Sequence, residues 1–305
     1  MDDTSKRHQP HASHLNTDAG LQRLPHRFAE DRLIAHNPNV HDDTPPPYDI
    51  IGDIHGCIDE LRELLRRLGW ERSGQGEAMR HPDNRHLVFL GDLNDRGPGS
   101  IPVWQLAVDS IALRTARYVP GNHDSKLARY LMGRDVQLTH GLAGTVQELF
   151  ALPERERRML ARSIVDVVAD SPPYRILDEG RLVVAHAGIE ERMIGEMNQE
   201  ISVFTRFGDA TGERTPEGFP IRRDWAAAYR GNALVVYGHT PVLVPVFRNN
   251  TINVDQGCAF GGALTALRYP ERRLVSVLAE HAYAIPSMSD RLHDPLLTVA
   301  GTEDA

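Results

Sequence analysis

Five short polar clusters hold the residues of this chain best suited to chemistry: GDIHG (52–56), GDLNDRG (91–97), GNHD (121–124), AHAG (185–188) and YGHT (237–240). Together they offer Asp53, His55, Asp92, Asn122, His186 and His239, a donor set of oxygen and nitrogen without a thiolate. Sets of this kind suit hard and borderline divalent ions such as manganese, iron and zinc. Asp53 and His55 stand two apart, so both can face one side of an emerging chain. Asp92 can offer two oxygens and bridge two ions, and Asn122 adds a neutral oxygen that limits the negative charge collected there. Each cluster has a plainer reading by itself: a capping aspartate, a turn, a surface Asp-Arg pair, a hydrogen-bonded histidine. Those readings fail jointly, because all five clusters follow runs that read as strands.

The runs are Tyr48–Ile51, Leu87–Leu90, Arg117–Val119, Leu182–Val184 and Leu234–Val236. In open α/β sheets, side chains from separate strands converge at the strands' carboxyl ends, so five such ends can build one pocket. The flanking glycines, among them Gly52, Gly91, Gly121 and Gly238, permit tight turns and close backbone approach. Between the strands, IDELRELLRRLGW places Leu61, Leu64, Leu65 and Leu68 at helical spacing, and Gly69 ends the helix. Ser100 is expected to cap a helix running to about Leu113, and SKLARYLM reads as a helix after GNHD. Residues 144–169 read as mainly helical, and strands at 251–254, 263–269 and 274–279 follow. Alternation first and strands later predict a layered α/β fold.

Composition bounds the rest. The 305 residues carry 41% hydrophobic and 25% charged side chains and a net charge of -8, so no global basic field draws in nucleic acid. No apolar run reaches the ~18 residues of a membrane helix, and the polar N-terminus lacks a secretory signal's apolar segment. A cytoplasmic protein without membrane partner is expected. Two cysteines, Cys57 and Cys258, support no disulfide framework and read as buried packing residues. Residues 1–47, rich in His, Asp and Pro, read as a disordered or loosely attached arm, 48–286 as the catalytic domain, and 287–305 as a tail. Six of the fifteen histidines lie in the arm at irregular spacing, which argues against a dedicated metal site there. Oligomeric state leaves no trace in the sequence.

In this order, GDIHG, GDxxDRG, GNHD, the strand-end histidine and GHT resemble the calcineurin-like metallophosphoesterases, and the GDxxDRG form resembles their phosphoprotein-phosphatase branch. Residues 120–147, 222–242 and 251–277 are also similar to the phosphatase module of bacterial polynucleotide kinase-phosphatase, an RNA-end repair enzyme. The resemblance implies a layered fold: a central β-sandwich of mixed sheets flanked by helices, with a helical insertion near the active site. It implies two divalent ions, manganese first and iron, zinc or nickel as alternatives. Asp53, His55 and Asp92 would hold one, and Asp92, Asn122, His186 and His239 the other. Two ions roughly 3.5–4 Å apart can activate a bridging water for in-line attack on phosphorus.

Arg96 offers a planar fork for phosphate, and a protonated His123 can donate to the leaving oxygen, with Asp95 as its carboxylate partner. Asp255 matches a further functional carboxylate, acting either on a ligand histidine or on substrate. His140 and Trp225 lie in the segments most particular to the RNA-repair group; Trp225 reads as core packing or as a pocket wall. Asn94 and Gln256 depart from that group, which usually has an apolar residue and a threonine there. No GxxxxGK[ST] motif is present, so no kinase part is expected.

The leading expectation is a phosphatase or phosphodiesterase acting on nucleotide or RNA-terminal phosphates, 3′-, 2′- or 2′,3′-cyclic. The alternative is a serine/threonine protein phosphatase or a hydrolase of dinucleoside tetraphosphates, which shares the metal chemistry and differs at the pocket rim. A non-catalytic regulatory binding module is a third reading, disfavoured by the intact ligand set with Arg96 and His123.

Overall fold

Burial on both faces marks the central strands of the computed structural model, which describes residues 39–214 and 220–285. Strand β1 (Tyr48–Ile51) is buried on both faces: Tyr48 and Ile50 join one apolar cluster, Ile51 another. That two-sided burial is what a strand in the middle of a layered fold requires. β1 pairs in parallel with β4 (His86–Phe89), which pairs in parallel with β5 (Ala116–Tyr118). On its other side β1 runs antiparallel to β13 (Ala263–Tyr269), which also holds β12 (Asp255–Gln256) and β14 (Arg273–Leu278).

A second mixed sheet has the order β11 (Thr251–Asn253), β10 (Leu234–Tyr237), β7 (Leu182–Ala185), β6 (Tyr174–Leu177). Its first three strands run parallel, and β6 runs antiparallel to β7. The inner faces meet through Ile50, Val88, Leu90, Val184, Val236 and Val254, all inaccessible to solvent. Two short hairpins, β2–β3 (Glu71–Arg72, Met79–Arg80) and β8–β9 (Ala210–Arg214, Pro220–Arg222), complete the strands among the described residues. This is the expected layered sandwich; β6, β12 and both hairpins are additions to the sequence reading.

Helices cover the outer face of the larger sheet. α1 (Ile58–Leu68) buries Leu61, Leu64, Leu65 and Leu68, each contributing about 1.5–3 kcal/mol. Gly69 ends it at φ 89°, a left-handed conformation that costs glycine little. α2 (Ser100–Ala112), α3 (Asn122–Leu131), α4 (Leu142–Ala151) and α5 (Glu154–Asp170) extend the layer. Two local expectations are corrected. Ser100 is the first residue of α2 and its hydroxyl accepts the Asp95 N–H instead of capping the helix. Asn122 and His123 belong to the first turn of α3, not to a loop before it. Over the second sheet lie α6 (Gln199–Phe207) and Trp225, which packs with Phe204 and Tyr237.

The segment 39–47, grouped by composition with the arm, runs along β6. The Ile176 N–H donates to the Val40 carbonyl (2.8 Å) and the Asp42 N–H to the Ile176 carbonyl (3.0 Å). The Asp42 carboxylate accepts from Arg117 at 2.7 Å and Arg175 at 3.2 Å. The rest of the arm and the tail after residue 285 lie outside the described residues.

Candidate active site

The five clusters meet at the carboxyl ends of β1, β4, β5, β7 and β10. Asp92 Oδ2 lies 3.6 Å from His55 Nε2 and 3.5 Å from His186 Nε2. His186 Nε2 lies 3.1 Å from Asn122 Oδ1 and 3.1 Å from His239 Nδ1. Asp53 accepts the His239 N–H at 3.1 and 3.3 Å, which ties the first cluster to the last. Carbonyls orient two imidazoles: His55 Nδ1–H donates to Asn94 O (2.9 Å) and His186 Nδ1–H to Leu90 O (2.8 Å). Each ring therefore turns its Nε2 lone pair inward, as second-shell bonds do at metal sites. Left-handed φ at His55 (48°), Asp92 (48°), Asp95 (74°), Arg96 (72°) and His239 (74°) adds strain of a kind that gathers at functional sites.

These residues fit divalent ions on electrostatic grounds. Burial pushes the His55, His186 and His239 imidazoles down, so they remain neutral and cannot offset the carboxylates. Burial, then Asp255 and Asp92, push Asp53 up. A buried cluster of carboxylates and neutral imidazoles calls for external positive charge. Glycines make the crowding workable: a Cβ on Gly121 would sit 2.0 Å from Asp92 Oδ1, and one on Gly238 2.1 Å from Asp53 Oδ1.

Beside this cluster, His123 Nδ1 lies 2.6 Å from Asp95 Oδ2, and its backbone N–H donates to Asp92 Oδ1 at 2.9 Å. Arg96 reaches both His55 Nε2 (2.8 Å) and His123 Nε2 (3.3 Å), and its guanidinium stacks 4.7 Å over Phe260. A cavity of about 150 Å³ opens here, lined by Asp92, Arg96, Asn122, His123, Lys126, His140, Arg222, His239 and Thr240.

Four supporting residues escaped the sequence reading. Asp124, fully buried, accepts N–H bonds from Asp92 (2.8 Å), Leu93 (2.8 Å) and Gly121 (3.0 Å), and the Tyr118 O–H (2.8 Å). It clamps two site loops together, although burial and the Asp92 charge push its carboxyl up to about 7. Its position at the end of GNHD, third in a helix, was the available signal. Thr145, at the end of LTHGLAGT, donates to Asp95 Oδ1 at 2.6 Å. Arg222, from the β8–β9 hairpin, bonds His239 Nε2 at 3.2 Å, and Lys126 holds Thr139 at 2.8 Å.

Other residues singled out earlier lie differently. Asp255 does not line the cavity; its carboxylate accepts the Gly257 N–H at 2.9 Å and acts electrostatically on Asp53. Asn94 is buried away from the cavity and accepts the Trp104 indole N–H at 3.1 Å. Gln256 donates to Leu243 O at 2.9 Å and accepts from Thr265. Trp225 is 8% exposed within the second apolar cluster, and the cavity it borders, with Tyr229 and Arg192, is a different one. His140 does line the site, and Gly141 beside it (φ 96°) lets that loop lie against Arg96, where a Cβ would meet the Arg96 nitrogen at 2.4 Å. Cys57 and Cys258 are both free and buried. No described helix is long and apolar enough to cross a membrane.

A family model described as calcineurin-like phosphoesterase matches residues 46–256. The asymmetrical bis(5'-nucleosyl)-tetraphosphatase PrpE of Geobacillus thermodenitrificans is 52% identical over 231 residues, 75% of this chain and 93% of that protein. Its counterpart in Anoxybacillus flavithermus is 50% identical over 238 residues, 77% of this chain and 96% of that protein. A solved structure provisionally assigned as a diadenosine tetraphosphatase shares the fold at TM-score 0.56 and 24% identity, covering 78% of this chain and 97% of its own. A Saccharomyces cerevisiae serine/threonine phosphatase does so at TM-score 0.51 and 16% identity, covering 85% and 90%. The nearer resemblance to the RNA-repair phosphatase module finds no support in these relatives, which favour the dinucleoside tetraphosphate alternative. The chain belongs to the calcineurin-like phosphoesterase family and is a metal-dependent phosphoesterase.

Proposed function

We propose that this enzyme hydrolyses dinucleoside tetraphosphates asymmetrically, leaving a nucleoside triphosphate and a nucleoside monophosphate. The observation that carries this reading is identity near one half to asymmetrical tetraphosphatases across more than nine-tenths of their length. The cavity agrees with it. In a chain of net charge -8, Arg96, Lys126 and Arg222 all line one small cavity, a density of cations suited to several linked phosphates. Its volume of about 150 Å³ suits phosphoryl groups and leaves the nucleosides on the rim.

In this reading Asp53, His55 and Asp92 would hold one divalent ion, and Asp92, Asn122, His186 and His239 a second, with manganese our assignment. When bound, the ions supply Lewis acidity and an activated water. Arg96, stacked on Phe260, presents its fork to the phosphoryl oxygens, and Arg222 meets the chain of phosphates from the His239 side. Asp95 orients His123 through Nδ1; once phosphate draws Arg96 off Nε2, that nitrogen is free to carry and donate a proton to the departing oxygen. An anhydride's leaving group is itself a phosphate, a weak base, so charge neutralisation by the arginines matters more than that proton.

The test is a substrate panel with added manganese: a dinucleoside tetraphosphate, a 3′-nucleotide, a 2′,3′-cyclic nucleotide and a phosphopeptide, with products separated. Triphosphate plus monophosphate as the fastest reaction is the expected result. Two diphosphates, or faster turnover of the RNA-end analogues, would overturn the proposal.

A further inference from the structure

The two cysteines of the chain come together away from the oxygen-nitrogen cluster. Cys57 directly precedes α1, Glu60 lies in its first turn, and Cys258 follows β12. One donor atom from each lies within 4.8 Å of the other two. All three side chains are buried, at 0%, 4% and 1% exposure. The thiols are free, and the Cys57 S–H donates to the His55 carbonyl at 3.8 Å. Glu60 Oε1 accepts the Glu280 N–H at 3.0 Å and the Tyr283 O–H at 2.8 Å. Its other oxygen, Oε2, is buried without any hydrogen-bond partner.

An orphaned carboxylate oxygen in such a place loses its hydration without replacement, and two neutral thiols beside it offset little of that cost. No lysine, arginine or histidine among the described residues bonds to Glu60. Two sulfurs and a carboxylate oxygen, converging and dry, form a donor set for a thiophilic divalent ion. We infer that Cys57, Glu60 and Cys258 bind one zinc-class divalent cation, a third metal site separate from the catalytic cluster. Binding replaces the two thiol protons, which leave to solvent, and the ion's two charges offset two of the three resulting negative ones. Tyr283, bonded to the opposite carboxylate oxygen, orients Glu60 as outer-shell partners do. The site fastens the loop that carries Asp53 and His55 to the loop that carries Asp255.

Cobalt substitution of the full-length protein tests this directly. The catalytic cluster contains no sulfur and the chain only two cysteines, so a thiolate-to-cobalt charge-transfer band in the near ultraviolet can come from this site alone. The wild type is expected to show the band, and C258S to lose it together with about one bound cobalt per chain. E60Q keeps both thiols and is expected to need about tenfold more cobalt for half-maximal band intensity. Should C258S fail to fold by circular dichroism, the wild-type spectrum and E60Q decide. Absence of the band at full loading of the catalytic cluster overturns the inference. So does a mass two daltons low with no titratable thiol, which would mark an oxidised pair instead.

Discussion

Asp124→Asn probes the scaffold beneath the Asp-His cluster without touching substrate. Asp124 Oδ2 takes three donors (Asp92 N–H, Gly121 N–H and Tyr118 O–H) and Oδ1 takes the Leu93 N–H alone. The least costly amide orientation keeps oxygen at the three-donor position and turns its NH₂ toward Leu93. One charge-assisted bond is then lost, at about 1.5–3 kcal/mol, and a buried N–H faces another donor, at about 1–3 kcal/mol. About 4 kcal/mol of destabilisation is therefore expected, a fall in Tm of about 8–16 °C at ~2–4 °C per kcal/mol. The lost bond frees the loop carrying Asp92, so the manganese concentration for half-maximal activity should rise about tenfold. Thermal melts and a metal titration of activity measure both. A Tm within about 1 °C of wild type with an unchanged metal requirement would refute the clamp.

Arg222→Ala should lower kcat/KM on a dinucleoside tetraphosphate by about 10–100-fold, the worth of a charged hydrogen bond, mostly through KM. A small aryl phosphate, too short to reach it, should lose under about threefold; equal losses on both would remove Arg222 from substrate binding. His123→Ala should slow an alkyl phosphate ester more than the tetraphosphate, because the weaker base needs less protonation, and steady-state rates on the two substrates compare them. Gly238→Ala puts a Cβ 2.1 Å from Asp53 Oδ1; activity should fall about 100-fold while circular dichroism stays native, the consequence of a misplaced ligand. Trp225→Ala should cost about 3–5 kcal/mol in a denaturant titration, as a core deletion. Its kcat/KM well below the melting range should stay within about threefold of wild type, and a much larger loss would restore the pocket-wall reading.

Much of the fold is legible in local pattern. The leucines of α1 repeat at helical spacing, Gly69 stops the helix, and strands such as β1 and β10 read as short apolar runs, because they are buried on both faces. The ligand-type residues were legible for the same reason: each stands at a strand end, within two residues of a glycine that permits a sharp turn. β6 escaped because Tyr-Arg-Ile-Leu is a four-residue run with an arginine in it and no ligand-type cluster after it, and its place is decided by pairing with β7 and the segment 39–42. Ser100 illustrates the limit of a local rule. Its hydroxyl suited a cap, yet the loop brought Asp95 within 3.0 Å and the buried amide there took it.

By itself, then, the amino-acid sequence determined the strand-end clusters, the donor types and the arginine beside them, since these depend on neighbours along the chain. The tertiary structure alone decided which distant groups meet. It set Arg222 against His239, closed Thr145 onto Asp95, moved Asp255 behind Asp53, buried Asn94 against Trp104, and brought Cys57 to Cys258. Such meetings follow from the packing of two sheets and their helices, in which burying one apolar face fixes every side chain it carries. No periodicity within a single segment encodes that choice, because its energy resides in the contact between segments.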